Sequence, residues 1–288
     1  MISSPSTRRL LNIGCGERWH PSWVNVDVVP RAASVIAADA ARGLPFPDAH
    51  FDAVYHSHVI EHIRRADVPR FIGECRRVLK PHGVLRVATP DLERLAELYL
   101  DRLRAAAAGC PNAAADHEWL VVEMLDQTVR EHSGGGMLEY LGRDPLLNER
   151  FILERIGQEG RDLLAAIRRY AQATPQPTVQ PSWPRRLVRW MRRLPARGRE
   201  ALVTSWYGED ALLAMRIGKF RLSGEVHCWL YDHLSLSRLL ATAGFCDPML
   251  RTAEESAIPD WSSFHLDMTP AGHVTKPDSM FMEARRSA

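Results

Sequence analysis

A chain of 288 residues is long enough for one large domain, or for a domain carrying an insertion. With 45% apolar and 25% charged residues it has an ordinary globular composition, and a net charge of +2 is too balanced to argue for a nucleic-acid partner by itself, so none is expected. Five scattered cysteines, without C-x-x-C or Cys/His spacing, exclude a disulfide framework and a structural zinc site, and no metal is expected.

No stretch approaches 18 consecutive apolar residues, and the N-terminal M-I-S-S-P-S-T-R-R lacks the apolar core of a signal peptide. A cytoplasmic location is expected. The first element, Leu10-Leu11-Asn12-Ile13, reads as a buried parallel strand. It breaks into Gly14-Cys15-Gly16, where the backbone can take positive φ and approach a ligand closely. A second strand, Val24-Asn25-Val26, ends in Asp27, and a carboxylate there can accept both hydroxyls of a ribose.

The dinucleotide fingerprint needs a third glycine and an acid about 20 residues on. Here Trp19 stands at the third-glycine position and Asp27 follows Gly16 by eleven residues. There is no G-x-x-x-x-G-K-[ST] either. A ribose-bearing ligand without a pyrophosphate fits better, and S-adenosylmethionine (SAM) is the common one.

A third strand is read over Ser34–Ala38, ending at Asp39. The links joining strands one to three are too short for covering helices, so this edge of the sheet needs cover from elsewhere. Phe51–His56 forms strand four, with Ser57-His58 at its carboxyl end, where open α/β sheets bind ligands. Asp67–Lys80 is an amphipathic helix ended by Pro81-His82-Gly83, and Val84–Ala88 is strand five, followed by Thr89-Pro90-Asp91.

Beyond it the pattern turns helical. Asp91 is a good N-cap for a helix over Leu92–Ala108. Asp116–Arg130, Pro145–Tyr170 and Glu200–Lys219 read as further helices, with a glycine hinge at Ser133–Gly136. Ala171–Pro184 carries four prolines and no charge, the composition of a linker. Seven arginines and no acid follow between Arg185 and Arg199, with Trp190 and Met191 among the apolar residues interleaved. This run is expected to be a solvated helix face or a contact with a membrane surface or partner protein.

Four blocks in order, L-N-I-G-C-G, V-N-V-D, L-P-F-P-D-A-H-F-D-A-V-Y-H-S-H-V-I-E-H and C-R-R-V-L-K-P-H-G-V-L-R-V-A-T-P-D, resemble a class I SAM-dependent methyltransferase. The likeness covers roughly residues 8–95 and resumes near 225–285. There G-E-V-H-C-W-L-Y-D-H-L-S-L-S-R-L-L-A-T-A-G-F, E-E-S-A-I-P-D-W and K-P-D-S-M-F-M-E-A are similar to a bacterial group associated with cell-surface polysaccharide biosynthesis. Where the family's turn carries an acid and a third glycine, this chain has Asn12 and Arg18.

The resemblance implies an α/β, Rossmann-like fold: a seven-stranded, mostly parallel sheet whose last strand, Ser279–Ala284, is antiparallel. The core would span residues 1–95 and 226–288. Residues 96–225 would form a helical insertion after strand five, covering the site or the thin sheet edge, with a mobile segment at 172–200. The implied cofactor is SAM, with S-adenosylhomocysteine as product. Asn12, Gly14, Cys15 and Gly16 would lie against its amino-acid tail and ribose, and Asp27 would bind the ribose hydroxyls. Asp39 and Ala40 would meet the adenine, and Ser57 and His58 would lie near the methyl group.

An oxygen nucleophile needs its proton removed, and the candidate bases are His58, His227, His62 and Asp232. His58 ranks first and His227 second, because Trp229 and Tyr231 after His227 could stack on a sugar ring. Glu61-His62 also reads as a structural pin for the loop. His56-Ser57-His58-Val59 stands where amino-methylating enzymes of bases carry D/N-P-P-Y/F, and no Asp–Asp–Asn cluster suggests a metal-dependent catechol site. The expected reaction is O-methylation of a sugar or glycan-type acceptor. The alternatives are a small-molecule or natural-product methyltransferase and a catalytically silent scaffold. The sequence is also compatible with a homo-oligomer.

Overall fold

The computed structural model describes residues 8–172, 198, 200, 201 and 203–288. Strand β1 (Leu10–Ile13) runs parallel between β2 (Val24–Asp27) and β4 (Phe51–Ser57), and β3 (Val35–Ala37) pairs with the outer side of β2. β5 (Leu79–Pro90) continues the parallel set beside β4. Two antiparallel strands, β6 (Phe245–Arg251) and β7 (Ser279–Arg286), complete a seven-stranded sheet of order β3-β2-β1-β4-β5-β7-β6. This is the expected Rossmann-like α/β arrangement, antiparallel last strand included.

One boundary differs from expectation. Helix α1 (Val68–Val78) ends two residues early, and Leu79 already has extended φ/ψ. Pro81-His82-Gly83 does not stop the helix; it lies inside β5, where the pairing with β4 jumps from Phe51–Leu79 to Ala53–Val84. Proline cannot donate to the ladder, so these residues bulge out of it.

The main core fills one face of the sheet. Leu11, Ile13, Val54, Leu85 and Val87 pack there against Phe71, Ile72, Cys75 and Val78 of α1 and against Leu236 and Leu240 of α7 (His233–Thr242). The β1–β2 and β2–β3 links carry no helix, and cover for the other face comes from the segment between β6 and β7. Trp261 and Phe264 pack edge-on against Trp23 at 6.1 and 5.3 Å, and Trp261 meets Tyr55 at 5.1 Å. Behind Trp261, the fully buried Arg86 pairs with Asp267 (2.8 Å) and Glu283 (3.0 Å).

Helices α2 (Leu92–Ala107), α3 (Ala113–Val129), α4 (Gly135–Leu141), α5 (Glu149–Gln172) and α6 (Glu209–Arg221) stand between β5 and α7. They have a core of their own around Trp119, Tyr140, Leu141 and Ile152. Helix α5 breaks at Gly157 (φ 61°), where the chain presses on the loop before β7: a Cβ there would meet Thr275 O at 2.6 Å. The expectations for Arg185–Arg199, and for nearly all of 172–200, fall outside the described residues. No described helix is long and apolar enough to cross a membrane.

His56, on β4, is fully buried against Phe71, and neither ring nitrogen has a hydrogen-bond partner among the described residues. Burial pushes its pKa down to about 4, against the pull of Glu61. Between the ordinary histidine value near 6.5 and about 4, the unfolded chain binds a proton that the native state does not, so this group destabilises the fold as pH falls. At pH 5 the loss is about 2 kcal/mol. Urea unfolding of His56→Leu at pH 7 and pH 5 should show that much less acid sensitivity than wild type; an unchanged difference would refute the account.

Candidate active site

The glycine turn is built by backbone geometry. Gly14 (φ 65°) and Gly16 (φ 52°) lie in the left-handed region, and the N–H groups of Gly14 and Cys15 both donate to Val26 O. Asp27 braces the turn, its two carboxylate oxygens accepting from the amides of Gly16 and Val29, each at 2.8 Å. A Cβ on Gly14 would strike Val59 at 2.4 Å, whereas one on Gly16 would meet nothing within 4 Å. Asn12, buried beneath, donates to Arg18 O and Asn25 Oδ1 and fixes the loop. Burial, and then the charge of Asp27, push the Cys15 thiol up to about 11, so it stays protonated at neutral pH.

Asn12, Gly14, Cys15 and Gly16 line a cleft of about 770 Å³ at the carboxyl ends of β1 and β4, together with Ser57, His58 and His62. Its far wall comes from Asp267, Thr275, Lys276 and Ser279, and its rim from Glu159 and Asp162 of α5. The turn fits SAM: Gly16 leaves open space where a side chain would stand, and Asp27 keeps lone pairs beyond its two amide bonds. Asp27, Asp39 and Ala40 are not among the lining residues. Asp39 spends its carboxylate on Ala41 N (3.0 Å) and on Arg42 (3.1 Å), as a turn acid does, and Ala40 is buried in the main core.

A second cleft, of about 210 Å³, opens between the end of β5 and the insertion. Leu95, Met137, Leu141 and Ile156 give it apolar walls, and Asp91, Asp278 and a buried Glu123–Arg155 pair give it charge. His58, Glu159 and Lys276 line both clefts.

His58 stands on the seam. Its φ of 53° is unusual for a residue with a side chain, and such strain gathers at functional positions. Nδ1 lies 3.0 Å from Glu61 Oε1, and Nε2 lies 2.8 Å from Ser279 Oγ. The nearby Glu61 carboxylate favours the tautomer with the hydrogen on Nδ1, which leaves the lone pair on Nε2. This base-plus-orienting-acid arrangement is the general pattern of activated proton acceptors. Burial alone would raise the pKa of Glu61, yet the facing histidines, His58 foremost, hold it down to about 2.

The other candidate bases separate. His62 lines the larger cleft, with Nδ1 3.3 Å from Val226 O, and burial lowers its pKa. His227 packs edge-on against His62 at 4.7 Å, lines neither cleft, and is pushed down to about 3 by burial. Asp232 lines neither cleft; it caps α7, accepting from Ser235 N at 2.7 Å in a reciprocal capping box. Arg65 covers the face of Trp229 and Tyr231 is buried in the main core, so the expected stacking pair does not face either cleft. Sequence reasoning missed Glu61 as a partner of His58, and Lys276 and Ser279 as lining residues. The last two fall in the K-P-D-S-M stretch that carried part of the resemblance.

Residues 11–87 match the family model described as a methyltransferase domain. Over 104 residues the chain is 34% identical to the 2-phytyl-1,4-naphtoquinone methyltransferase of Synechococcus elongatus, a match covering 33% of this chain and 44% of that protein. It is 31% identical over 110 residues to the ubiquinone biosynthesis O-methyltransferase of Rhodopseudomonas palustris, covering 31% and 42%. A 48-residue stretch is 50% identical to a Mycolicibacterium smegmatis protein named "Probable S-adenosylmethionine-dependent methyltransferase", covering 17% and 18%. The chain thus spans less than half the length of each of these relatives. The match to the methyltransferase-domain model thus runs from β1 into β5 and takes in the glycine turn and His58.

Proposed function

We propose that the chain transfers a methyl group from SAM to a hydroxyl of a small acceptor, a sugar or glycan unit, across the seam at His58. The observation that carries this reading is that His58 lines both clefts, with an orienting carboxylate on one ring nitrogen and the lone pair of the other at the junction. Gly14, Gly16 and Asn12 would hold SAM in the larger cleft, with Asp27 at the ribose and Ser57 near the methyl. When bound, SAM supplies an electrophilic methyl and its own thioether leaving group.

The chain's part is position and proton removal. The acceptor enters the smaller cleft, with its hydroxyl sharing His58 Nε2 with Ser279 or displacing it. Nε2 takes the hydroxyl proton as the oxygen–methyl bond forms, and Glu61 stabilises the imidazolium. A space of about 210 Å³ is below the roughly 300–1,000 Å³ of pockets for drug-sized ligands, which favours one ring over an extended substrate. Asp91, Glu123, Glu159 and Asp278 outnumber Arg155 and Lys276 there, which favours a neutral polyol over an acidic acceptor.

The apolar wall and the quinone-named relatives support a second reading, methylation of a small hydroxylated aromatic ring. Incubation with labelled SAM and two acceptor panels, free and nucleotide-linked sugars against hydroxylated quinols, separates the two by mass spectrometry. Label on sugars alone supports the first reading, and label on quinols alone replaces it.

Asp27→Ala should weaken SAM binding by about 2–4 kcal/mol, because it removes the ribose acceptor and leaves Gly16 and Val29 amides unpaired. Calorimetric SAM titration measures this; unchanged affinity would remove Asp27 from the site.

A further inference from the structure

Behind His58 lies a cluster of which the proposed proton transfer uses only Glu61. Glu61, His62 and His227 come from two segments, the turn after β4 and the stretch that enters α7, yet one ligand atom from each lies within 4.8 Å of the others. Glu61 is fully buried. Its Oε2 accepts from Thr89 at 3.3 Å, while Oε1 has no aligned hydrogen-bond donor among the described residues, His58 being close but off axis. A buried, incompletely satisfied carboxylate oxygen calls for a missing partner.

We propose that Glu61, His62 and His227 form a binding site for one zinc-class divalent cation. Two imidazoles and a carboxylate are a donor set that zinc and its borderline neighbours accept, and three protein ligands leave a fourth position open. The outer contacts agree. His62 turns Nδ1 to Val226 O, which leaves Nε2 as the free donor atom, the usual way a ligating histidine is oriented. His227 is buried, and its backbone N–H is anchored on Gln127 O at 2.9 Å.

Arg130, a neighbouring cation, is already paired with Asp126 and Glu225. Tetrahedral zinc holds its ligand atoms about 3.4 Å apart, so binding draws the widest pair inward by roughly 1 Å, within reach of small side-chain rotations. The ligands are 61, 62 and 227 in sequence, a spacing too wide to read as a metal motif.

The test uses the untagged full chain, stripped with chelator and dialysed. Zinc chloride titrated by calorimetry should bind at one equivalent per chain in the low-micromolar range or tighter, and cobalt(II) should give the visible absorption of a tetrahedral site. His227→Ala should weaken zinc by more than the roughly 10–100-fold that loss of an outer contact brings. If His227→Ala loses its thermal transition, Glu61→Gln, which keeps the volume, carries the same readout. No saturable binding by wild type, or equal binding by the folded variant, overturns the site. Methyl transfer is not read here, so either proposal can fail without the other.

Discussion

Replacing His58 with alanine is expected to lower kcat by about 10²–10⁴ while leaving SAM affinity nearly unchanged. The loss follows from the position of the ring. Nε2 stands at the junction of the clefts, and Glu61 Oε1 lies 3.0 Å from Nδ1 on the opposite side, favouring the tautomer that leaves the lone pair on Nε2. His227, the second candidate in sequence, lines neither cleft, so His227→Ala should affect turnover far less. Position 58 has a left-handed backbone, and alanine there is strained. His58→Asn is the matched control, since asparagine tolerates that conformation and cannot act as the base. Turnover near normal in both His58 variants would defeat the general-base assignment, leaving proximity to account for the rate.

Arg86→Met should destabilise the fold by about 3–5 kcal/mol, because it strands buried carboxylates. The guanidinium bonds Asp267 through two nitrogens at 3.0 and 2.8 Å and Glu283 at 3.0 Å. It also caps the carbonyls of Glu255 and Thr252 and lies over Trp261. Burial raises the carboxyl pKa of Asp267, and Arg86 opposes that rise. Without Arg86 the folded-state pKa climbs further above the unfolded value, so this group's contribution grows as pH falls and is lost as pH rises. The deficit, read by urea unfolding, should therefore shrink between pH 7 and pH 5. A loss below about 1 kcal/mol at pH 7 would mean that water reaches the pair.

The strands were legible where the physics is local. Leu10–Ile13 is apolar but for Asn12 because a parallel strand is buried on both faces, and Gly14 and Gly16 announce a turn whose φ only glycine takes freely. What could not be read is what long-range pairing decides. Pro81-His82-Gly83 is a good helix stop by its own chemistry, yet β4 recruits Leu79, before the ladder resumes at Val84. A face without covering helices was foreseeable from the short links; that Trp261 and Phe264 pack over it at Trp23 and Tyr55 was not, since the contacts span more than two hundred residues. Asp232 was legible in principle: Asp232-His233-Leu234-Ser235 is a local capping pattern. His58 was placed at the strand end by topology, but its tie to Ser279 required the last strand in position.

The wall shared by the clefts has a thermodynamic consequence. His58, Glu159 and Lys276 each present a face to both spaces, so a molecule that orders them from one side has already met part of the entropic cost for the other. Linkage makes the effect reciprocal: whatever factor the acceptor adds to the affinity for SAM, SAM returns to the affinity for the acceptor. On the proposed reading the spent cofactor would meet the same three side chains from the larger cleft, so its departure and the acceptor's hold would share that coupling, and product inhibition should strengthen as acceptor concentration rises.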